Sequence, residues 1–515
     1  MMNTTPMKPF NRIVIAGGGT AGWMVAALMG KLLGKQLDIK LIESEEIGTV
    51  GVGEATIPAL QTYHDLLGIG EAEFMSATNA TFKLGINFED WKDIGQNYFH
   101  SFGTTGIDHW SAGFQHFWLK GRKEGVAKDY AAYNPESVAA FAGRFAHLPR
   151  SGLNHAYHLD AGRYAKYLRV MSEGFGVQRI EGKIAVVLQD GPLGKDGDIT
   201  ALQMQDGSRI EGDLFIDCTG FRALLIGETL GVGYEDWSHW LPCDRAVAVQ
   251  TAAVREPWPY TRSIAHPFGW QWRIPLQHRV GNGLVYSSKE LSDADAPEVL
   301  KKNVEGELLI QPRVLKFTPG QRHKTWVRNC IAVGLASGFI EPLESTSIHL
   351  IQRAAIRLMQ LFPAGGICAE DVAEFNSQSA RELEHIRDFI VLHYHVNERK
   401  DSNLWRHVRE MEVPASLRHR IDLFCETGRI FRSADELFAD NSWIQVTMGQ
   451  GITPKTYHPV ADLMGRTELS TFLGDIQIKV DRAVAQMPTH GDYLRHYCAR
   501  PDDAKMVEPM VKKAP

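Results

Sequence analysis

The chain has 515 residues, enough for roughly three domains at about 150 residues each. Hydrophobic residues make up 44% and charged residues 23%, and 55 basic against 61 acidic side chains leave a net charge of −6, which argues against a broad electrostatic grip on nucleic acid. No apolar run approaches the roughly 18 residues of a membrane span, and the scattered cysteines (Cys218, Cys243, Cys330, Cys368, Cys425, Cys498), with no C-x-x-C, exclude a disulfide framework and zinc knuckles and fit a reducing compartment.

Residues 1–11 lack a long apolar core, and the apolar run at 13–16 is short and ends in glycines, so no signal peptide is expected and the cytoplasm is the expected location. Residues 12–16 read as a buried parallel strand, 23–33 as a helix ended by Gly34, and 37–43 as a second strand. Between them lies Gly17-Gly18-Gly19-Thr20-Ala21-Gly22, a G-x-G-x-x-G in its full strand–turn–helix context. Gly17 allows the tight turn, Gly19 lets backbone approach a pyrophosphate, and Gly22 permits close helix–sheet packing. The helix N-terminus offers free N–H groups to phosphate. Glu43, at the end of the second strand, is placed to accept from ribose hydroxyls.

Residues 80–150 show no clear period and read as loops with short strands and helices. The pattern predicts a helix over 157–171 with Asp160 near its start, strands over 177–188 and 198–205, and a hairpin turn at Asp206-Gly207. The next strand runs into Asp213-Leu-Phe-Ile-Asp-Cys-Thr-Gly220, and a later one is Cys330-Ile-Ala-Val-Gly-Leu335. Two such distant strands returning to an N-terminal fingerprint favour a flavin-binding sheet, hence FAD over NAD. Only one fingerprint is present, so the reduced flavin is expected from a separate reductase. Residues 245–288 read as strands with a turn at Gly281-Asn282-Gly283. Within them, Trp270, Trp272 and Ile274 share one strand face, and Pro275 ends the ladder or marks an edge. Beyond Ser345 the period becomes 3.6, with Ile348, Ile351, Ala355, Leu358 and Leu361 along one face; 379–396, 417–427 and 473–487 also read as helices, and 501–515 as a fraying tail.

Taken together, the chain resembles the flavin-dependent tryptophan halogenases. The residues that carry the likeness are Gly17–Gly22, the stretch Gly51-Val-Gly-Glu-Ala-Thr-Ile-Pro58, Lys83 within Thr81-Phe-Lys-Leu-Gly-Ile-Asn-Phe88, the W-x-W-x-I-P run at 270–275, and Glu341-Pro-Leu-Glu-Ser-Thr346. The resemblance implies an α/β fold: an FAD-binding, flavin monooxygenase-like module (1–345), a Rossmann-type βαβ unit with a large mixed sheet, carrying a mostly helical substrate module (346–500). It also implies that reduced FAD, O2 and chloride or bromide give hypohalous acid, which travels to a separate site and halogenates an electron-rich aromatic ring such as indole or tryptophan. By the same likeness Lys83 aims the acid and Glu344 stabilises the cationic ring and takes its proton. Thr20, Ala21, Glu54, Ala55, Val186, Leu335 and Ile348 join the glycines at the flavin. Backbone N–H groups at Thr346 and Ser347 hold halide, and the rings of His100 and Phe102 sandwich the substrate. Trp443 and Ile444 stand where halogenases of free tryptophan carry a Tyr-Tyr pair, so an indole, another electron-rich aromatic, or a tethered one is expected at least as much as free tryptophan. Ser347 replaces the family's usual glycine. Expected partners are a flavin reductase, a small aromatic and a second copy of the chain in a homodimer, with no nucleic acid and no membrane.

An aromatic hydroxylase on the same flavin module is the alternative enzyme reading, and a flavin carrier without catalysis the non-enzymatic one; neither needs Lys83 with Glu344. The histidines at 155, 158, 393, 395 and 419 read as ordinary side chains, so no metal is expected.

Overall fold

The computed structural model describes residues 10–47, 53–147 and 152–498. The expected tail at 501–515, and Gly51 and Val52, lie outside these residues. The strand Arg12–Ala16 is buried along four of its five residues, and pairs in parallel with Asp38–Glu43 on one side and Leu214–Asp217 on the other. Cys330–Ala332 and Gln178–Glu181 extend the parallel sheet, and Trp326–Val327 closes one edge antiparallel. Both distant segments thus return to the fingerprint strand. The fingerprint helix, Thr20–Leu33, is buried from Gly22 to Gly30 against the helices Ala161–Gly174 and Ser347–Gln360.

The helix expected over 157–171 is half right. Ala156–Asp160 is a strand, held between Gly53–Ala55 and Thr81–Lys83, and the helix Ala161–Gly174 starts after it. Strand pairing overrides the helical period there, and Asp160 marks the change by accepting from the Arg163 N–H at 3.0 Å. The Asp206-Gly207 turn joins Ile199–Met204 to Arg209–Glu211, with Gly207 at φ +87°.

A seven-stranded sheet runs in the order Arg313–Lys316, Arg245–Ala252, Arg279–Tyr286, Gly269–Pro275, Thr261–His266, Gly85–Glu89, Asn97–Ser101. The turn expected at Gly281-Asn282-Gly283 is absent: Arg279–Tyr286 runs straight through, paired on both sides. These glycines make room instead of turning the chain. Gly283 lies opposite Trp272, whose ring occupies the space a side chain would need, and Gly281 lies against the backbone of Gly53. The tryptophan strand Gly269–Pro275 is central rather than an edge, and Pro275 ends its ladder at Val280.

From Ser347 onward the described residues are helical or irregular. Ile348, Ile351, Ala355 and Leu358 turn inward from Ser347–Gln360 as the 3.6 period predicts. The helix expected over 379–396 begins ten residues earlier, at Ala369, because its first three turns are polar and bury only Phe375. Asn403–Glu410, Asp440–Gly449 and His490–Tyr497 are helices that the sequence pattern did not reveal. One core surrounds the fingerprint helix and a second fills the space between the large sheet and the helices 369–395, 415–427 and 440–449. The last helix returns to the first core through Leu494 and Cys498.

Candidate active site

The fingerprint forms a cradle. Gly17 adopts φ +111° and lies so close to the Cys218 carbonyl that a Cβ there would collide with it; a Cβ on Gly22 would strike the Gly17 carbonyl. Gly19 caps the helix without a side chain, and a Cβ placed there would meet nothing within 4 Å. Open space in front of unpaired first-turn N–H groups suits a diphosphate. Glu43 accepts from the Trp23 indole N–H at 3.2 Å and pairs with Arg179. Gly334, just before Leu335, touches Ala21 and Ile351, so the 334–336 turn and the helix carrying Ile348 close on the start of the fingerprint helix. Burial pushes the Glu54 carboxyl up to about 7, and Ala55 beside it is buried. The dinucleotide set therefore fits FAD. Val186 stands apart, half-exposed on Ile184–Gln189.

On the substrate side, Lys83 is fully buried at the end of Thr81–Lys83. Its Nζ donates to the Thr56 carbonyl at 3.0 Å and to Ser345 Oγ at 2.8 Å, and lies 5.0 Å from the centre of the Phe102 ring. Burial pulls its pKa down to about 7, against the pull of Glu344. Glu344 is buried too. His100 Nδ1 lies 2.9 Å from both carboxylate oxygens, and His393 Nε2 lies 2.9 Å from Oε1. Burial raises a carboxyl, but the two imidazoles outweigh it and hold Glu344 down to about 2. A turn over Pro342–Glu344, followed by Ser345 in the left-handed region at φ +61°, brings Glu344 and Lys83 into one pocket although 261 positions separate them.

Glu341, three residues earlier, faces another way. It accepts from Trp270 Nε1 at 2.7 Å and from the Tyr394 hydroxyl at 2.6 Å, and burial pushes it up to about 7. The adjacent residues His393 and Tyr394 of the long helix thus serve the two carboxylates in turn. His393 is fixed by the Tyr98 hydroxyl on Nδ1 at 2.7 Å and by the Phe88 ring at 4.5 Å. The sequence analysis set His393 aside and did not single out Tyr98, Tyr394 or the role of Glu341. The available signal was two adjacent polar residues, His393 and Tyr394, directly after the apolar run Phe389 to Leu392 of one helix.

Thr346 and Ser347 start the helix Ser347–Gln360; Thr346 is buried, and its hydroxyl has no partner among the described residues. His100 lies in the strand Asn97–Ser101 and Phe102 directly after its end, the first against Glu344 and the second against Lys83. Trp443 and Ile444 are buried in Asp440–Gly449. Trp443 packs edge-on to Phe389 at 4.8 Å beneath the Arg420 guanidinium at 4.0 Å. Its helix is sewn to the His100 strand by Gln445, which accepts from the Ser101 N–H at 2.9 Å.

The Tryptophan halogenase family model matches residues 12–466. Among solved structures, Xcc4156, a flavin-dependent halogenase from Xanthomonas campestris, is 60% identical, with a TM-score of 0.94 over 96% of this chain and 99% of that one. BrvH, a flavin-dependent halogenase from Brevundimonas sp. BAL3, is 43% identical, with a TM-score of 0.90 over 95% and 99%. Tryptophan 7-halogenase RebH from Lentzea aerocolonigenes is 35% identical over 95% of this chain and 99% of its own length. These likenesses run along nearly the whole chain and support the halogenase reading over the hydroxylase alternative. The chain belongs to the tryptophan halogenase family and is a flavin-dependent halogenase.

Proposed function

We propose that the enzyme halogenates a small, uncharged, electron-rich aromatic such as indole in preference to free tryptophan, using FAD reduced by a separate enzyme. The observation that carries this reading is the buried pair of Lys83, tied to Ser345, and Glu344, kept ionised by His100 and His393. Reduced FAD, when bound, would supply two of the four electrons that O2 takes up; the halide gives up the other two and becomes hypohalous acid, with water as the second product. The fingerprint amides and Glu43 hold that cofactor, and the N–H groups at Thr346 and Ser347 hold the halide. Lys83 Nζ holds the hypohalous acid and aims it at one ring carbon. Glu344, charged in a dry pocket, stabilises the cationic ring and accepts the proton that leaves the substituted carbon. His100 and Phe102 flank the ring.

The choice of substrate rests on the far end of the pocket. RebH acts on tryptophan by its name; here Ile444 can donate no hydrogen bond, and Trp443 is packed under Arg420, which is itself paired with Glu436 at 2.8 Å. Leaving a charged ammonium or carboxylate unpaired costs about 1–3 kcal/mol each. Two such losses at the low end weaken use of tryptophan about 30-fold. The test is kcat/KM for indole and for tryptophan under one flavin-reductase supply, with product read by mass spectrometry. A preference for indole of this order is expected; a clear preference for tryptophan defeats the assignment.

A further inference from the structure

Away from the active site, one group of ligand-type side chains is drawn together among the described residues: Glu71, His147 and His155, whose ligand atoms all lie within 4.8 Å of one another. His155 Nε2 is 2.9 Å from Glu71 Oε1, and His147 Nε2 is 3.2 Å from Oε2. With bonds of about 2.0–2.1 Å to each ligand, these are the separations of neighbouring ligands roughly 90–100° apart around one ion. Both histidines turn Nε2 inward and have Nδ1 engaged elsewhere: His155 Nδ1 at 3.0 Å from the Leu153 carbonyl, His147 Nδ1 at 2.8 Å from the Tyr493 hydroxyl. Each carboxylate oxygen also accepts from a phenol, Oε1 from Tyr157 at 2.6 Å and Oε2 from Tyr497 at 2.7 Å. Outer partners that fix the ligands in this way are what a metal site needs.

The hydrogen bonds of His155 carry the argument further. The Leu153 carbonyl can only accept, so Nδ1 carries a proton. A neutral His155 then turns its Nε2 lone pair toward a carboxylate oxygen, which is repulsive. Either a proton or a cation must occupy Nε2. His155 and Glu71 are largely buried, while the His147 side chain is 35% exposed, which leaves a side open to water ligands.

We propose that Glu71, His147 and His155 form a binding site for a divalent transition ion of the zinc class, distinct from the halogenation pocket. Binding takes up the Nε2 lone pair of each histidine, so metal and protons compete for the site. Two imidazoles and one carboxylate suit Zn2+ or Co2+, with water completing the shell. The ion joins the start of the helix Glu71–Thr78 to the segment after Phe145 and, through Tyr493 and Tyr497, to the last helix. These elements box the Phe82 ring, which stacks on Phe145 at 3.9 Å and meets His147 and His155 at 5.4 and 5.3 Å. Phe82 precedes Lys83, so the site braces the strand that carries the lysine.

The test uses untagged full-length protein freed of metal, titrated with Co2+ by visible absorption and with Zn2+ by calorimetry and thermal shift. One equivalent is expected to bind, with a rise in Tm, and more weakly as pH falls. His147→Ala, at the exposed ligand, should weaken binding at least tenfold while the metal-free protein keeps its fold, and His155→Ala should abolish binding. Absence of a one-to-one complex, or binding unchanged in His147→Ala, overturns the proposal and leaves the cluster a proton-held imidazolium–carboxylate pair.

Discussion

Lys83 carries its charge against its surroundings. Burial lowers its pKa to about 7 from an ordinary 10.5, so between these values the unfolded chain binds more protons than the folded one. The resulting penalty on stability is complete below pH 7 and fades as pH rises toward 10.5. Lys83→Met removes the penalty. Halogenation should be lost, and the Tm of the variant minus that of wild type should be most positive near pH 7 and shrink by about pH 10. A difference that is flat or grows with pH contradicts the buried-charge account. His393 acts through Glu344, which makes it a positioning residue. His393→Gln leaves the carboxylate with His100 alone; kcat should fall about tenfold with little change in KM for the aromatic, consistent with losing one polar contact to the carboxylate worth about 1.4 kcal/mol. A fall in both parameters through misfolding would show in the thermal melt, and an unchanged kcat would remove His393 from the machinery.

Between elements, contact distances explain what residue patterns left ambiguous. The Gly281-Asn282-Gly283 run has the composition of a turn, yet its glycines are small because Trp272 and Gly53 lie against them. Gly283→Ala places a methyl into the Trp272 ring. Overpacking of this kind costs about 1–3 kcal/mol, so Tm should fall by a few degrees, and Trp272 fluorescence should report the displaced ring; a neutral Tm means the strand can shift at no cost. The helix from Ser347 was legible because burial there follows a period of 3.6; the βαβ unit and the tryptophan strand, buried almost throughout, were legible from their glycine fingerprint and from the W-x-W-x-I-P run. Ala156–Asp160 was not, since its partners, Gly53–Ala55 and Thr81–Lys83, lie far earlier in the chain and local pattern carries no trace of them. Helix Ala369–His395 was legible only in its buried half, because its exposed start has no apolar face to display.

At the level of the whole molecule, the chain carries one dinucleotide fingerprint, at 17–22, which leaves NADH without a comparable cradle. Purified enzyme mixed with FAD and NADH should therefore oxidise NADH no faster than the buffer control, and adding a flavin reductase should restore both NADH oxidation and halogenated product. Rapid NADH loss without reductase sinks that separation. Lys83 and Glu344 were legible as a pair only through the family likeness, because no local pattern links positions 83 and 344. His393 stayed hidden for a related reason: a histidine in a buried helix resembles ordinary core until Glu344, which the 342–344 turn sets against it, is known.

The segment 341–347 has a consequence for engineering. Within seven residues it anchors the tryptophan strand through Glu341, the long helix through both carboxylates, the lysine through Ser345, and the start of a core helix through Ser347. Its backbone also passes through a left-handed residue at Ser345. Such a segment has no slack, so diversity introduced there will sacrifice most of a library. The helix Asp440–Gly449 is different: Trp443 and Ile444 are held by packing, while Asn441 and Gln445 tie the helix to the 101–105 segment. A new substrate range is best sought by varying that helix while 341–347 is left unchanged.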